Sequence, residues 1–377
     1  MPVDNTQLTQ EEIDFLAQAT LSRRIANRGE VTALDHVESG TFKYALQRAK
    51  KFGNPVQGGY RFYVAGNRGQ KIQWWQGADI LTFANKQTLT DMVFDVGKGH
   101  YGWELIYDTI ERNGIRIDYN SKGIRSGDSG SRPMLETVQN IIEQTMEQVE
   151  YDWMNDLRKR FMYTNTDQAK CFTGRWGLID PTTNSTGTIG KRSRTNRLFQ
   201  HQLVTAVTVD NIMRQFFILT RNANRRAGGT KIDYISCGDS AYNLLVDLFT
   251  ASAGAGGGMT GSVAGKFDYR AAQDYAMKKG EKYNISLPQD CFAYQDTLIV
   301  NDPVYSLLKD DYPSFAVDPA KIIDFWNFSH FGVCSVVDEM NVPHAMPYNQ
   351  RLARTSKHGE WTVWCDLPSS QGTMVLT

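Results

Sequence analysis

The tetrapeptide Gly127-Asp128-Ser129-Gly130 sets a serine in the surroundings that trypsin-like proteases give their nucleophile. Acyl transfer asks for more: a histidine to take the serine's proton and an acid to orient that histidine. The upstream histidines are His36, inside a helical pattern, and His100, and neither has the local sequence of such a base. A polar loop leading into a helix explains the tetrapeptide better. Gly265-Lys266 suggests a phosphate loop, but Thr260 and Phe267 break both the spacing and the magnesium-binding hydroxyl. Residues 254–258 are glycine-rich without a strand directly before them, so they are not a dinucleotide fingerprint. The six histidines never pair at i, i+4, which excludes a helical zinc pair. The doublets Asp310-Asp311 and Asp338-Glu339 read as solvated corners. No catalytic residue, cofactor or metal set is expected. One basic run remains, with Lys191, Arg192, Arg194 and Arg197 facing either phosphate or a neighbour's acids, or lying in a solvated loop.

The element most able to organise such a chain runs from Ser131 to Tyr163. Leu135, Val138, Ile142, Met146, Val149, Trp153, Leu157 and Phe161 recur at steps of three or four, predicting one long amphipathic helix. Pro133 suits its first turn. Acids lie toward its start and Arg158, Lys159 and Arg160 near its end, in accord with the macrodipole. It would be about 45–50 Å long, a spine for an elongated body.

Thr9 and Glu12 form a capping box ahead of a short helix, and a second helix is predicted from Leu34 to Lys51. Both are poor in large apolar residues and read as arm segments that dock elsewhere. From Val56 the period becomes two. Tyr60, Phe62 and Val64 alternate with polar or outward residues, and Met92 to Val96 forms a returning strand. Between these arms Trp74, Trp75, Ile80, Leu81 and Phe83 load the tip of a long hairpin. Such a tip either folds onto its own domain or reaches a neighbour. Beyond the basic run, helix 209–227, strand 231–237, a helix capped at Asp239 or Ser240, and strands 292–294 and 298–300 make an α+β unit. Residues 251–265 read as a surface loop. Strands 333–337, 361–365 and 373–376 are expected to rejoin the sheet beside the spine, leaving about 200–325 as an inserted domain.

With 377 residues, 41% hydrophobic and 22% charged, the composition is that of a folded globular chain. Its 41 basic and 41 acidic residues balance, unlike a free nucleic-acid binder, and neutrality removes repulsion between copies packed side by side. The five cysteines show no CxxC and read as small buried hydrophobes in a reducing compartment. The polar, acidic start is unlike a signal peptide, and no apolar run is long enough for a membrane span. A chain made and assembled in the cytoplasm, without membrane contact, is the expectation.

In this order the elements resemble a tailed-bacteriophage major capsid protein of the Hong Kong 97 type. GYRFYVAG is similar to the outgoing strand of that family's extended loop, and TDMVFDVGKGHYGWELI to the returning strand and entry into the peripheral domain. ETVQNIIEQTMEQVEYDWMNDLRKRFMY resembles the spine helix, FTGRWGLIDPTTNSTGTIGKRSRTN the stretch that follows it, and the α+β unit the axial domain. The resemblance implies an α+β subunit with an N-terminal arm (1–55) and an extended β-hairpin loop (56–97). A peripheral domain (98–199) would contain the spine helix, followed by the axial domain (200–326) and the return strands of the peripheral domain (327–377). It implies copies joined into hexamers and pentamers of an icosahedral shell around double-stranded DNA, in a virion assembled in the host cytoplasm. Trp74, Trp75, Ile80 and Phe83 become inter-subunit contacts. With a short segment ahead of the loop, the resemblance implies a separate scaffolding protein or none, and allows portal and decoration proteins as further partners. Lys71 or Lys86 with Asn341 or Asn349 are candidates for the covalent crosslink some members make, although a plain surface role is the preferred reading. The alternatives are an encapsulin-like shell around a cargo enzyme and a two-domain hydrolase using Ser129.

Overall fold

A computed structural model of the protein describes residues 39–48, 60–65, 89–106, 149–163, 171–251, 269–282, 287, 290–294, 296–313, 315–343 and 352–377. Helix α1 spans Gly40–Gln47. Ser39 is extended (φ −91°, ψ 111°), and its Oγ accepts from Phe42 N at 3.1 Å. The capping serine therefore starts the helix later than the Leu34 that hydrophobic period alone suggests. Strands β1 (Tyr60–Ala65) and β2 (Leu89–Phe94) pair antiparallel, Tyr60 opposite Phe94 and Ala65 opposite Leu89. On β2 the pleat buries Met92 and Phe94 and turns Asp91 and Val93 outward.

Helix α2 is described from 149 to 162; the earlier part of the expected spine, 131–148, lies outside the described residues. Val149, Trp153, Leu157 and Phe161 fall on one buried stripe, as the period requires. The described residues form two units. In the first (99–106, 149–156, 338–343 and 352–359), Trp153 packs on strand β3 (Gly97–Ile106), where a Cβ at Gly99 would stand 2.5 Å from the indole. There the buried Lys357 ammonium donates to Glu150 at 2.9 Å, 5.9 Å from the Trp153 ring centre.

The second unit holds the larger core. In chain order its elements are a short helix α3 (Arg175–Leu178), a hairpin of β4 (Thr188–Ile189) and β5 (Arg192–Ser193), and β6 (Gln202–Val207). Helix α4 (Ile212–Arg226), β7 (Tyr234–Cys237), α5 (Asp239–Ala251) and α6 (Tyr269–Lys282) follow. Then come β8 (Cys291–Tyr294), β9 (Thr297–Asn301), α7 (Val304–Asp311) and β10 (Ile322–Trp326). Strands β11 (Phe331–Pro343) and β12 (Leu352–Cys365), each divided between the two units, pair with each other, and β12 also pairs with β3. The chain closes with β13 (Gly372–Leu376).

A mixed six-stranded sheet runs in the order β6-β13-β10-β7-β9-β8. Helix α4 buries Ile212, Phe216, Leu219 and Ala223 against it, and α5 buries Ala241, Tyr242, Leu245 and Phe249. Each fully buried Ile, Leu or Phe among them contributes about 1.5–3 kcal/mol. Gly228 and Gly229 take φ of 62° and 103° just past α4, the left-handed exit that glycine allows.

One expected placement changes. Strand β13 was expected beside the spine with β11 and β12, but it lies between β6 and β10 in the six-stranded sheet. Every residue of GTMVL is buried, as a central strand requires, and β10 supplies an equally buried partner. Helices α6 and α7 were not predicted. Along α6 only Ala276 and Gly280 are buried, so small residues carry a contact face that a search for large apolar residues overlooks.

Candidate functional site

The basic run begins as a turn. Gly190 and Lys191 both take positive φ, 53° and 63°, joining β4 to β5 as a two-residue hairpin of the primed kind. Gly190 O accepts from Val93 N at 3.1 Å, which ties this hairpin to β2. Arg192 Nε donates to Asp91 O at 2.7 Å, and its guanidinium also pairs with the Asp91 carboxylate. Lys191 Nζ stands 3.7 Å from Asp95 Oδ1. The positive charges thus fall on Asp91 of β2 and on Asp95 just past its end.

Gly190 is the tight point. A Cβ there would approach Met92 Cβ to 2.9 Å and Phe94 Cζ to 3.2 Å, on a backbone already left-handed. Gly190→Ala is expected to cost about 1–3 kcal/mol, seen as a lower urea midpoint and as faster hydrogen exchange at Val93. An unchanged midpoint would mean the turn is not under this constraint.

Arg194 departs from the expected solvent-facing cluster. It is 3% exposed, and its guanidinium donates to the carbonyls of Gly177 and Leu178, both at 2.8 Å. The end of α3 leaves those acceptors unsatisfied within the helix, and Arg194 completes them. Burial pulls its pKa down, against the opposing charge of Asp180. Arg197 is exposed, in a 3₁₀ turn at Arg197–Phe199. The four basic residues therefore do three different jobs.

Next to Arg194 lies a polar node that sequence reasoning missed. Arg175 is fully buried and donates to Gln371 Oε1 (3.0 Å), Phe325 O (3.0 Å) and Gly372 O (3.1 Å). Its guanidinium lies 4.2 Å from the Trp326 ring centre, and Nε is 3.7 Å from Asp324 Oδ1. Asp324 in turn accepts from Trp176 Nε1 (2.8 Å), Tyr305 OH (2.7 Å) and Thr373 Oγ1 (2.7 Å). Burial lowers the Arg175 pKa, and the Asp324 carboxylate opposes it. Together they pin α3, β10, β13 and α7. The signal was an aspartate inside the otherwise apolar strand IIDFW.

His201 sits beside the two buried arginines. Its Nε2 donates to Asp180 O at 2.9 Å, which fixes the tautomer because a carbonyl only accepts. Burial first, then the Arg194 and Arg175 charges, hold its pKa down at about 3, so the ring is neutral. A second clamp holds α1. Ser39 Oγ donates to Asp302 Oδ2 at 2.7 Å, Thr41 N donates to the same oxygen at 3.2 Å, and Val304 N donates to Oδ1 at 3.1 Å. Burial raises the Asp302 pKa against these donors. Phe42 packs on Phe161 at 5.4 Å, and Phe161 stacks on Trp326 at 5.5 Å.

These nodes position; none aligns a nucleophile with a base. Among the described residues no three His, Cys, Asp or Glu side chains gather as a metal site, and no helix is long and apolar enough to cross a membrane. The cysteines Cys171, Cys237, Cys291, Cys334 and Cys365 are free thiols, all but Cys171 buried. Ser129, Trp74, Trp75, Ile80 and Phe83 lie outside the described residues.

No protein-family model and no curated protein matches the chain. Solved structures do. The capsid asymmetric unit of cyanophage A-1(L) superposes with a TM-score of 0.51 at 11% identity, covering 92% of this chain and 95% of that one. The mature capsid of bacteriophage PhiM1 gives 0.50 at 11% identity, covering 93% and 90%. At that identity the likeness speaks for the backbone alone. The mixed sheet, the helix carrying the 149–161 stripe and the antiparallel pair β1–β2 belong to a fold of the Hong Kong 97 capsid type.

Proposed function

We propose that this chain is the major capsid protein of a tailed-phage-like particle, copies of which join as hexamers and pentamers into an icosahedral shell around double-stranded DNA. The observation that carries the reading is a fold shared with phage capsid subunits over more than nine-tenths of the chain. The divisions 1–55, 56–97, 98–199 and 200–326 serve as arm, loop, peripheral domain and axial domain; of the stretch 327–377, β11 and β12 serve as the return strands and β13 joins the six-stranded sheet. A separate scaffolding protein, a portal and decoration proteins complete the particle, which assembles in the host cytoplasm. The role is structural and not catalytic.

In this reading the loop reaches a neighbouring subunit, and Trp74, Trp75, Ile80 and Phe83 are its anchors, since buried aromatics dominate interface energy. Arg192 and Lys191 fit the reading by holding the base from which the loop projects. Electron microscopy of the expressed chain is expected to show closed particles. The double variant Trp74→Ala/Trp75→Ala is expected to stay soluble and folded, with particle yield reduced at least tenfold. Normal particles from that variant would remove the loop from the interface, and a wild-type chain that remains monomeric at high concentration would end the shell reading.

A further inference from the structure

Helix α4 carries Arg214, Arg221, Arg225 and Arg226 and not one acid along Ile212–Arg226. That places four positive charges on 15 residues of a chain whose net charge is zero. At 3.6 residues per turn and 1.5 Å per residue, Arg214, Arg221 and Arg225 fall within about 40° of arc over about 16 Å of one side. All three are exposed, and none makes an ion pair among the described residues. Phe217, 39% exposed, flanks the same side. Of the segments packed against α4, β6 (QLVTAV), β13 (GTMVL) and the 3₁₀ turn at Pro368–Ser370 (PSS) bring no carboxylate, and the Asp324 of β10, whose Phe325 packs on Phe216, is buried and engaged by Trp176, Tyr305 and Thr373.

At the helix C-terminus a second like-charged group closes in. Arg226 is half-buried, and after burial the Arg197 charge is the next cause lowering its pKa. The ladder is all arginine, whose planar fork fits phosphate oxygens two at a time. Half-buried Gln215 and Asn222 add neutral side-chain amides of the kind that bind nucleic-acid backbones.

We propose that the side of α4 carrying Arg214, Arg221 and Arg225 binds the phosphodiester backbone of nucleic acid without reading its sequence. In the shell proposed above, on which this setting rests, α4 then faces the interior. A second copy's acids are the other conceivable occupant. They are disfavoured because about 16 Å of like charge in a line suits a polymer that carries a negative charge about every 1.7 Å of its axis.

The test compares the wild-type chain, Arg214→Ala/Arg221→Ala/Arg225→Ala, and a control of equal charge loss, Lys278→Ala/Lys282→Ala/Lys309→Ala. Fluorescence anisotropy with a labelled 30-base-pair duplex is read from 50 to 200 mM salt, with melting curves confirming that each variant is folded. The expected result is at least a tenfold weaker Kd for the arginine variant at 50 mM salt. Its log Kd against log salt should flatten by roughly 2–3, since each phosphate contact contributes about 0.9 to that slope, while the control should stay within twofold of wild type. Equal losses in both variants, or an unchanged slope, would overturn the proposal. So would an arginine variant that binds the duplex normally but forms no particles, because the ladder would then meet a second copy. Binding is measured whether or not particles form, so a failed shell reading and a failed ladder give different results.

Discussion

Replacing Arg175 by Ala is expected to lower the unfolding free energy by about 3–5 kcal/mol, the loss usual when one partner of a buried ion pair is removed. The size follows from what remains. Asp324 is fully buried, and without the guanidinium its carboxylate keeps three neutral donors but no positive charge. Gln371 Oε1 and the carbonyls of Phe325 and Gly372 lose donors in the same stroke, and the Trp326 ring loses the cation over its face. Urea unfolding should show the fall as a lower midpoint with little change in slope. Because the cost is the orphaned acid as much as the lost arginine, Arg175→Met with Asp324→Asn should recover part of it. A single-variant loss below about 1 kcal/mol would mean that the pair is not what joins α3 to the sheet.

His201 is expected to make the protein acid-labile, and the sign follows from proton uptake. An unfolded histidine takes a proton near pH 6.5, whereas the folded ring does so only at about 3. Between these values the unfolded chain binds more protons, so the contribution is complete above 6.5 and is lost as pH falls toward 3. The gap corresponds to roughly 4–5 kcal/mol at its fullest. His201→Gln keeps a donor for the Asp180 carbonyl and removes the titration. Its stability difference between pH 7 and pH 4 should therefore be smaller than wild type by roughly 3 kcal/mol. Parallel pH profiles of wild type and variant would assign the acid sensitivity to other groups.

Much of this fold was legible because its signals are local. Alternation around Tyr60 and Met92 marked the arms that flank the loop, and the Val149–Phe161 stripe marked the spine. Gly228-Gly229 marked the end of α4 through the backbone freedom only glycine offers there. Partner choice was not legible. GTMVL has no alternation to say which sheet it joins, since a strand buried on both faces carries no facing information. The same blindness hid Arg194: a basic residue in a polar run looks solvated until α3 supplies carbonyls that need it. Gly190-Lys191 went unread as a turn because lysine is an unusual occupant of a left-handed position. The arginines of α4 were visible as letters, but their accumulation on one side emerges only once the helix frame is fixed.

The place of β13 sets a schedule for synthesis. Gly372 pairs with Gln202, so β6 leaves the ribosome about 170 residues before the strand that hydrogen-bonds to it. At the usual 5–20 residues per second that delay is roughly 8–35 s. During it β6 has no ladder partner and β10 keeps one open edge, while helices and hairpins elsewhere have had ample time to form. Nascent chains on one polysome therefore hold complementary edges at high local concentration, a circumstance that favours strand exchange between siblings or capture by chaperones.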